Sequence, residues 1–166
     1  IRHLYHGQTI AAWGGRGRGT QYIDGADWQP YQPLTFVTPP FPEYTSGHST
    51  FSAAAAEILT RFTGSNTFYN AAVRLPYDHN GDGQRDTIGE HIAQPGSLMF
   101  DNGPAKAIVL RWPTFQDAAR EAGISRLYGG IHIQDGNLRG NLAGVQIGNR
   151  AFDVASAYWS GSRHAH

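Results

Sequence analysis

Phe41-Pro42-Glu43-Tyr44-Thr45-Ser46-Gly47-His48-Ser49-Thr50-Phe51, continued by Ser52-Ala53-Ala54-Ala55-Ala56-Glu57, passes from a proline-stiffened approach into an alanine-rich run. Proline fixes φ and removes a donor along Pro39, Pro40 and Pro42, whereas alanine has the highest helix propensity. The change predicts a helix over residues 47–63, closed by Gly64 as its C-cap. A helix start leaves backbone N–H groups without partners and so suits an anion. The Ser46 hydroxyl, the close backbone approach allowed at Gly47 and the His48 imidazole crowd onto that start. The stretch reads as one wall of an oxyanion site.

Working outward, Ile1, Leu4 and Tyr5 share a face, so residues 1–10 read as the tail of a helix. Residues 11–45 read as mostly irregular, with a Gly-rich run from Gly14 to Gly19 and large apolar anchors at Trp13, Tyr22, Trp28, Tyr31 and Phe36. A short helical piece is expected after Ser65-Asn66-Thr67, carrying Phe68, Tyr69 and Val73, and loop or extended chain over 92–103. A helix over about 104–122 should break near Trp112, because the residue before Pro113 avoids helical geometry; Pro113 would open a second helix ending at Gly123. In the final element, residues 124–159, Gly136, Gly140, Gly144 and Gly148 fall on one helical face, as close packing of a neighbour requires. No alternating strand pattern of useful length appears. The expected class is all-α: one domain, loop over 1–45, a helical core over 46–160, and a frayed tail from Ser160 in which His164 and His166 do nothing specific.

Composition narrows the function. With 166 residues the chain can bury a core, and a formal net charge of zero supplies no field for nucleic acid or an acidic membrane. The six-residue Gly-Arg run does not outweigh that neutrality. No apolar run reaches the length of a membrane span. Cysteine is absent, which excludes disulfides, thiolate nucleophiles and Cys-rich zinc sites. It does not settle the compartment, although a secreted or periplasmic one is the expectation. One lysine stands against twelve arginines, a bias that suits oxyanion gripping and equally suits genome composition. The chain opens without Met and mid-element, so the expectation is a C-terminal portion of a longer protein. Nothing sets the number of subunits, and a homo-oligomer is left open.

Asp78-His79-Asn80-Gly81-Asp82-Gly83-Gln84-Arg85-Asp86 places oxygen side chains at first, third, fifth and ninth positions around a central Gly. That spacing is the one an EF-hand-like loop uses, with Asp78, Asn80, Asp82, Gln84 and Asp86 as candidate calcium ligands. The twelfth position is Gly89 and Glu90 comes one place late, so the bidentate ligand is missing or displaced. A calcium site and a metal-free Asx/Gly turn are both open here.

The second chemically loaded stretch is Ser125-Arg126-Leu127-Tyr128-Gly129-Gly130-Ile131-His132-Ile133-Gln134-Asp135. Gly-Gly permits a tight turn between Arg126 and His132. Asp135, three residues on, would lie where its carboxylate can orient the imidazole on a helical turn. A guanidinium fork and a held imidazole are means of gripping an oxyanion.

Together, Ser46-Gly47-His48 and Ser125-Arg126 with His132 after five residues resemble the second and third motifs of the vanadium-dependent haloperoxidase and type 2 phosphatidic-acid-phosphatase superfamily. The Pro39 to Tyr44 lead-in resembles the haloperoxidase branch. The resemblance covers roughly residues 28–60 and 120–150. It implies an all-α bundle holding vanadate, with His132 the axial ligand and His48 the acid–base group. Ser46, the Gly47 N–H and Arg126 would bond equatorial oxygens, and Phe41 would lie near the halide. The implied activity is oxidation of a halide by hydrogen peroxide to a hypohalous species. Thr45 stands where the family has Pro, and Asp135 follows His132 by three residues where some members have four. No lysine precedes Ser46, so the family's Lys and Arg-Pro first motif is missing, and an N-terminal portion of the same protein is the implied partner. The runner-up reading is an acid phosphatase of the same superfamily, with His132 as nucleophile on a phosphate ester and His48 protonating the leaving group. A third is a non-catalytic calcium-binding domain built on Asp78 to Asp86.

Overall fold

A computed structural model describes residues 2–15, 18–30, 39–68, 78, 83, 88–97 and 103–162. Helix α1 is Arg2–Tyr5, and strands β1 (Thr9–Trp13) and β2 (Thr20–Asp24) pair antiparallel with Trp13 opposite Thr20. After a 3₁₀ turn at Gly25–Asp27 come α2 (Gly47–Thr63), a second antiparallel pair β3 (Glu90–Ala93) and β4 (Ile108–Arg111), α3 (Phe115–Tyr128) and α4 (Gln134–Trp159). The three long helices make the protein a mainly helical bundle, as the composition pattern led us to expect.

Helix α2 begins and ends where the sequence says it should. The Ser46 side chain accepts from the Ser49 N–H, and Gly64 takes the left-handed conformation at the other end (φ 70°). Helix α3 opens with a capping box: Thr114 accepts from the Asp117 N–H while the Asp117 carboxylate accepts from the Thr114 N–H.

The glycine stripe explains how the helices meet. Helix α2 packs mainly against α4 and next against α3. Gly136, Gly140, Gly144 and Gly148 are all buried on α4. A Cβ at Gly140 would stand 2.7 Å from the Ser46 carbonyl oxygen, and one at Gly144 would overlap the Thr50 carbonyl. Backbone therefore lies against backbone along this seam. Alanines of α2 complete it, with Ala53 and Ala56 buried. Ala56 forms a small core with Phe115 and Ala119, and Phe68 lies edge-to-face on Phe115 at 4.7 Å. At the far end Arg61 reaches Asp153 at 2.7 Å and lies over the Phe152 ring.

Several expectations need correction. Strands β1 and β2 form a hairpin where residues 9–10 were expected to end a helix and residues 11–24 to be irregular; the strands are short and largely exposed, so no core face imposes alternation. Residues 108–111, expected in a helix, form strand β4, where the β-branched Ile108 and Val109 pair with Ala93 and Ile92. Gly123 does not close a helix. It is buried inside α3, where a Cβ would stand 2.8 Å from Ser49 Oγ. The element expected over 124–159 is divided: α3 runs on to Tyr128, and α4 starts only at Gln134. The break centres on Gly130, whose φ of 67° a side chain would strain. Thr67, expected at the start of a helical piece, bridges Thr114; Tyr69 and Val73 lie outside the described residues.

Candidate oxyanion site

The site is built where the start of α2 meets the loop between α3 and α4. The Ser46 N–H donates to the Gly136 carbonyl at 3.1 Å, tying the entry of α2 to the first turn of α4. Ser46 itself is wholly buried. Its hydroxyl lies 2.9 Å from that of Ser49, which donates to Asn137 Oδ1 at 2.6 Å. In this conformation Ser46 therefore sets the helix start and presents no surface of its own. Gly47 and His48 occupy the first two helical positions, where an N–H has no intrahelical acceptor.

Arg126 sits in the last turn of α3, followed by a folded-back terminus: the Gly130 N–H donates to the Leu127 carbonyl and the Ile131 N–H to the Arg126 carbonyl. This reversal delivers His132 into the interior, with its side chain only 1% exposed. A Cβ on Gly130 would stand 3.0 Å from the Trp28 ring, so the segment before α2 packs on the same loop.

The His132 ring is held from one edge. Its Nδ1 lies 2.8 Å from the Glu43 carbonyl oxygen, which can only accept, so Nδ1 carries the proton. In the neutral ring Nε2 then keeps a bare lone pair. Glu43 Oε1 is 3.4 Å from the same Nδ1. Phe41 stacks on the ring with centroids 6.3 Å apart. The expectation for Asp135 is corrected here: its carboxylate pairs with Arg139 at 3.4 Å on the exposed face of α4, because one helical turn carries it away from His132. Glu43 takes the place assigned to it.

Partial burial lowers the His48 pKa, the nearby Arg126 guanidinium lowers it further, and His132 would add to this whenever its ring is protonated. The three side chains named from two distant stretches thus share one electrostatic neighbourhood. Among the described residues, the buried side-chain nitrogens and oxygens without a hydrogen-bond partner are Gln116 Oε1, Arg126 Nε and His132 Nε2. Leaving a buried donor or acceptor unsatisfied costs about 1–3 kcal/mol. Two of the three belong to the site, one a donor and one a lone pair, and an oxyanion of a Lewis-acidic element would satisfy both. The residues present fit vanadate.

Of the candidate calcium ligands, Asp78 accepts from the Gly83 N–H, five residues on, at 2.8 Å. Asn80, Asp82, Gln84 and Asp86 lie outside the described residues. No group of three or more His, Asp or Glu side chains among the described residues could hold a metal ion. No described helix is long and apolar enough to cross a membrane.

Sequence reasoning missed Glu43, Ser49 and Asn137. Glu43 stands three residues before Ser46, inside the stretch first singled out, but its link to His132 spans 89 residues and has no local signature.

Fold and site together define a helical bundle that leaves a histidine and an arginine nitrogen buried and without partners at one place. The chain belongs to the family described as the VCPO second helical-bundle domain, whose model matches residues 1–161. It is similar to a bacterial vanadium-dependent chloroperoxidase in its holo form, with a TM-score of 0.65 and 27% identity over 92% of this chain and 28% of that one. The apo form of a bacterial vanadium-dependent chloroperoxidase superposes with a TM-score of 0.70 and 26% identity, over 98% of this chain and 30% of that one. The chain thus spans less than a third of the length of these solved relatives. No curated protein matches it significantly.

Proposed function

We propose that these residues form the vanadate-binding half of a haloperoxidase that oxidises a halide with hydrogen peroxide. The carrying observation is the pair of buried, unpartnered nitrogens, Arg126 Nε and His132 Nε2, close to His48. His132 would hold vanadate through Nε2, and Arg126 and the Gly47 N–H would bind its oxygens, with Ser46 fixing the helix start that aims Gly47. Bound vanadate supplies a Lewis-acidic centre that activates hydrogen peroxide toward a halide. His48 is kept neutral near pH 7, so its unprotonated ring nitrogen can take a proton from hydrogen peroxide. Phe41, whose ring stacks on that of His132 with centroids 6.3 Å apart, would lie beside the halide.

Further cations for the oxyanion, and the covering of the bundle, would come from outside these 166 residues. The greater length of the solved chloroperoxidases supports this, and so do the exposed Phe51 and Phe62 on α2 and Leu138 and Leu142 on α4.

The test is bromide oxidation by hydrogen peroxide in the intact protein loaded with orthovanadate, alongside vanadate retention after gel filtration. We expect His132→Ala to abolish retention and His48→Ala to spare much of it while losing turnover. Equal loss of retention in both would overturn the roles. Hydrolysis of phosphomonoesters without halide oxidation would move the assignment to an acid phosphatase using the same residues.

A further inference from the structure

Glu43 does not enter the proposed function, yet it touches the structure on both sides of the site. It ends the proline-rich approach to α2, and its carbonyl oxygen accepts the His132 Nδ1–H at 2.8 Å. Its carboxylate Oε1 lies 3.4 Å from that nitrogen and accepts the Ile133 N–H at 3.1 Å. Ile133 is the N-cap of α4 and offers no side-chain cap of its own. The carboxylate therefore caps α4 from a distant segment, at the helix end that favours negative charge. Room for it exists because Gly136 has no Cβ; one there would overlap Glu43 Oε1. One residue thus joins the approach to α2, the ring of His132 and the start of α4.

We propose that Glu43 is a positioning residue for His132. Its carbonyl and carboxylate oxygens together hold the imidazole as the Nδ1–H tautomer and fasten the His132 loop to the start of α4. Nε2 is thereby left bare and fixed in direction. The carbonyl can orient the ring only while its loop stays in register with α4; the carboxylate holds that register through the Ile133 N–H and adds a second acceptor at Nδ1. The consequence for anion binding rests on the oxyanion reading above, whereas the clamp itself does not.

The experiment uses the intact protein with ¹⁵N-labelled histidine. Long-range ¹H–¹⁵N spectra report the His132 tautomer, assigned by the signal lost in His132→Gln, and calorimetry measures orthovanadate affinity. In the unsubstituted protein Nδ1 should be protonated and Nε2 bare. Glu43→Ala should shift His132 toward a tautomer mixture and weaken orthovanadate binding about tenfold or more. Glu43→Gln keeps an acceptor oxygen and should hold the tautomer, with affinity within about threefold. The proposal is overturned if Glu43→Ala keeps both, if its affinity falls with the tautomer unchanged, or if Glu43→Gln is as impaired as Glu43→Ala. Should Glu43→Ala not fold, Glu43→Asp withdraws the carboxylate by one methylene: a partial tautomer shift supports the clamp, and none overturns it. If the unsubstituted protein binds no orthovanadate, the oxyanion reading fails, and the tautomer shift alone decides the role of Glu43.

Discussion

At the scale of single residues, the electrostatics of His48 makes a signed prediction. Partial burial is the largest cause of its lowered pKa, and the charge of Arg126 follows. Arg126→Gln should therefore raise the His48 pKa only part of the way back toward its ordinary 6.5, read by NMR titration of the ring protons. The same shift links pH to stability. The unfolded chain takes up this proton before the folded one does. The His48 contribution is therefore flat above about pH 6.5, and stability falls as the pH drops from there toward the folded value. Arg126, His48 and His132 were legible in the sequence because their chemistry is carried by residue type and short spacing. Asp135 was misread for the same reason: proximity in sequence suggested a partner, while the ring had already found Glu43 across the fold.

At the scale of elements, the seam between α2 and α4 depends on missing side chains. Gly144→Ala gains about 1 kcal/mol of helix propensity. It also places a methyl against the Thr50 carbonyl and 2.8 Å from Ala53 Cβ. Overpacking of this kind costs about 1–3 kcal/mol, so the net effect should be destabilising in chemical denaturation. Gly140→Ala should act further, because its methyl would push on the Ser46 carbonyl at the mouth of the site, 2.7 Å away. We expect it to weaken orthovanadate binding as well as stability, where Gly144→Ala weakens stability alone. Thr114→Ala removes the capping box of α3 and should cost about 1 kcal/mol. It should also raise the pKa of Asp117, whose largest cause of depression is the Thr114 hydroxyl. Helix α2 was readable from its alanine run and Gly64 cap, whereas the boundary between α3 and α4 was not. The strands were not, because β3 and β4 are four residues each and hold together by pairing between distant segments.

At the scale of the whole molecule, the described core is small and the outer faces are apolar. Phe51 is 79% exposed, Phe62 69% and Leu142 57%. Apolar side chains in this number are expected to be covered by another surface. Expressed alone, the 166-residue chain should self-associate, and the combined Phe51→Ser, Phe62→Ser and Leu142→Ser changes should reduce that, as light scattering would show. In the intact protein the same changes should lower stability, because the cover would then lose its apolar partner. Failure of both effects would mean that these faces are open in the working protein.

The sequence by itself determined the long helix α2, the side-chain-free stripe of glycines on α4, and His48, Arg126 and His132 as candidate oxyanion groups. Each follows from local chemistry: alanine propensity, glycine periodicity, and side chains whose charge or lone pair does not depend on where the chain goes. Only the tertiary structure decided what holds His132, why Ser46 is closed off behind its cap, and where α3 gives way to α4. Those are contacts between segments some 90 residues apart, chosen by packing at a seam where the absence of Cβ atoms lets the helices touch.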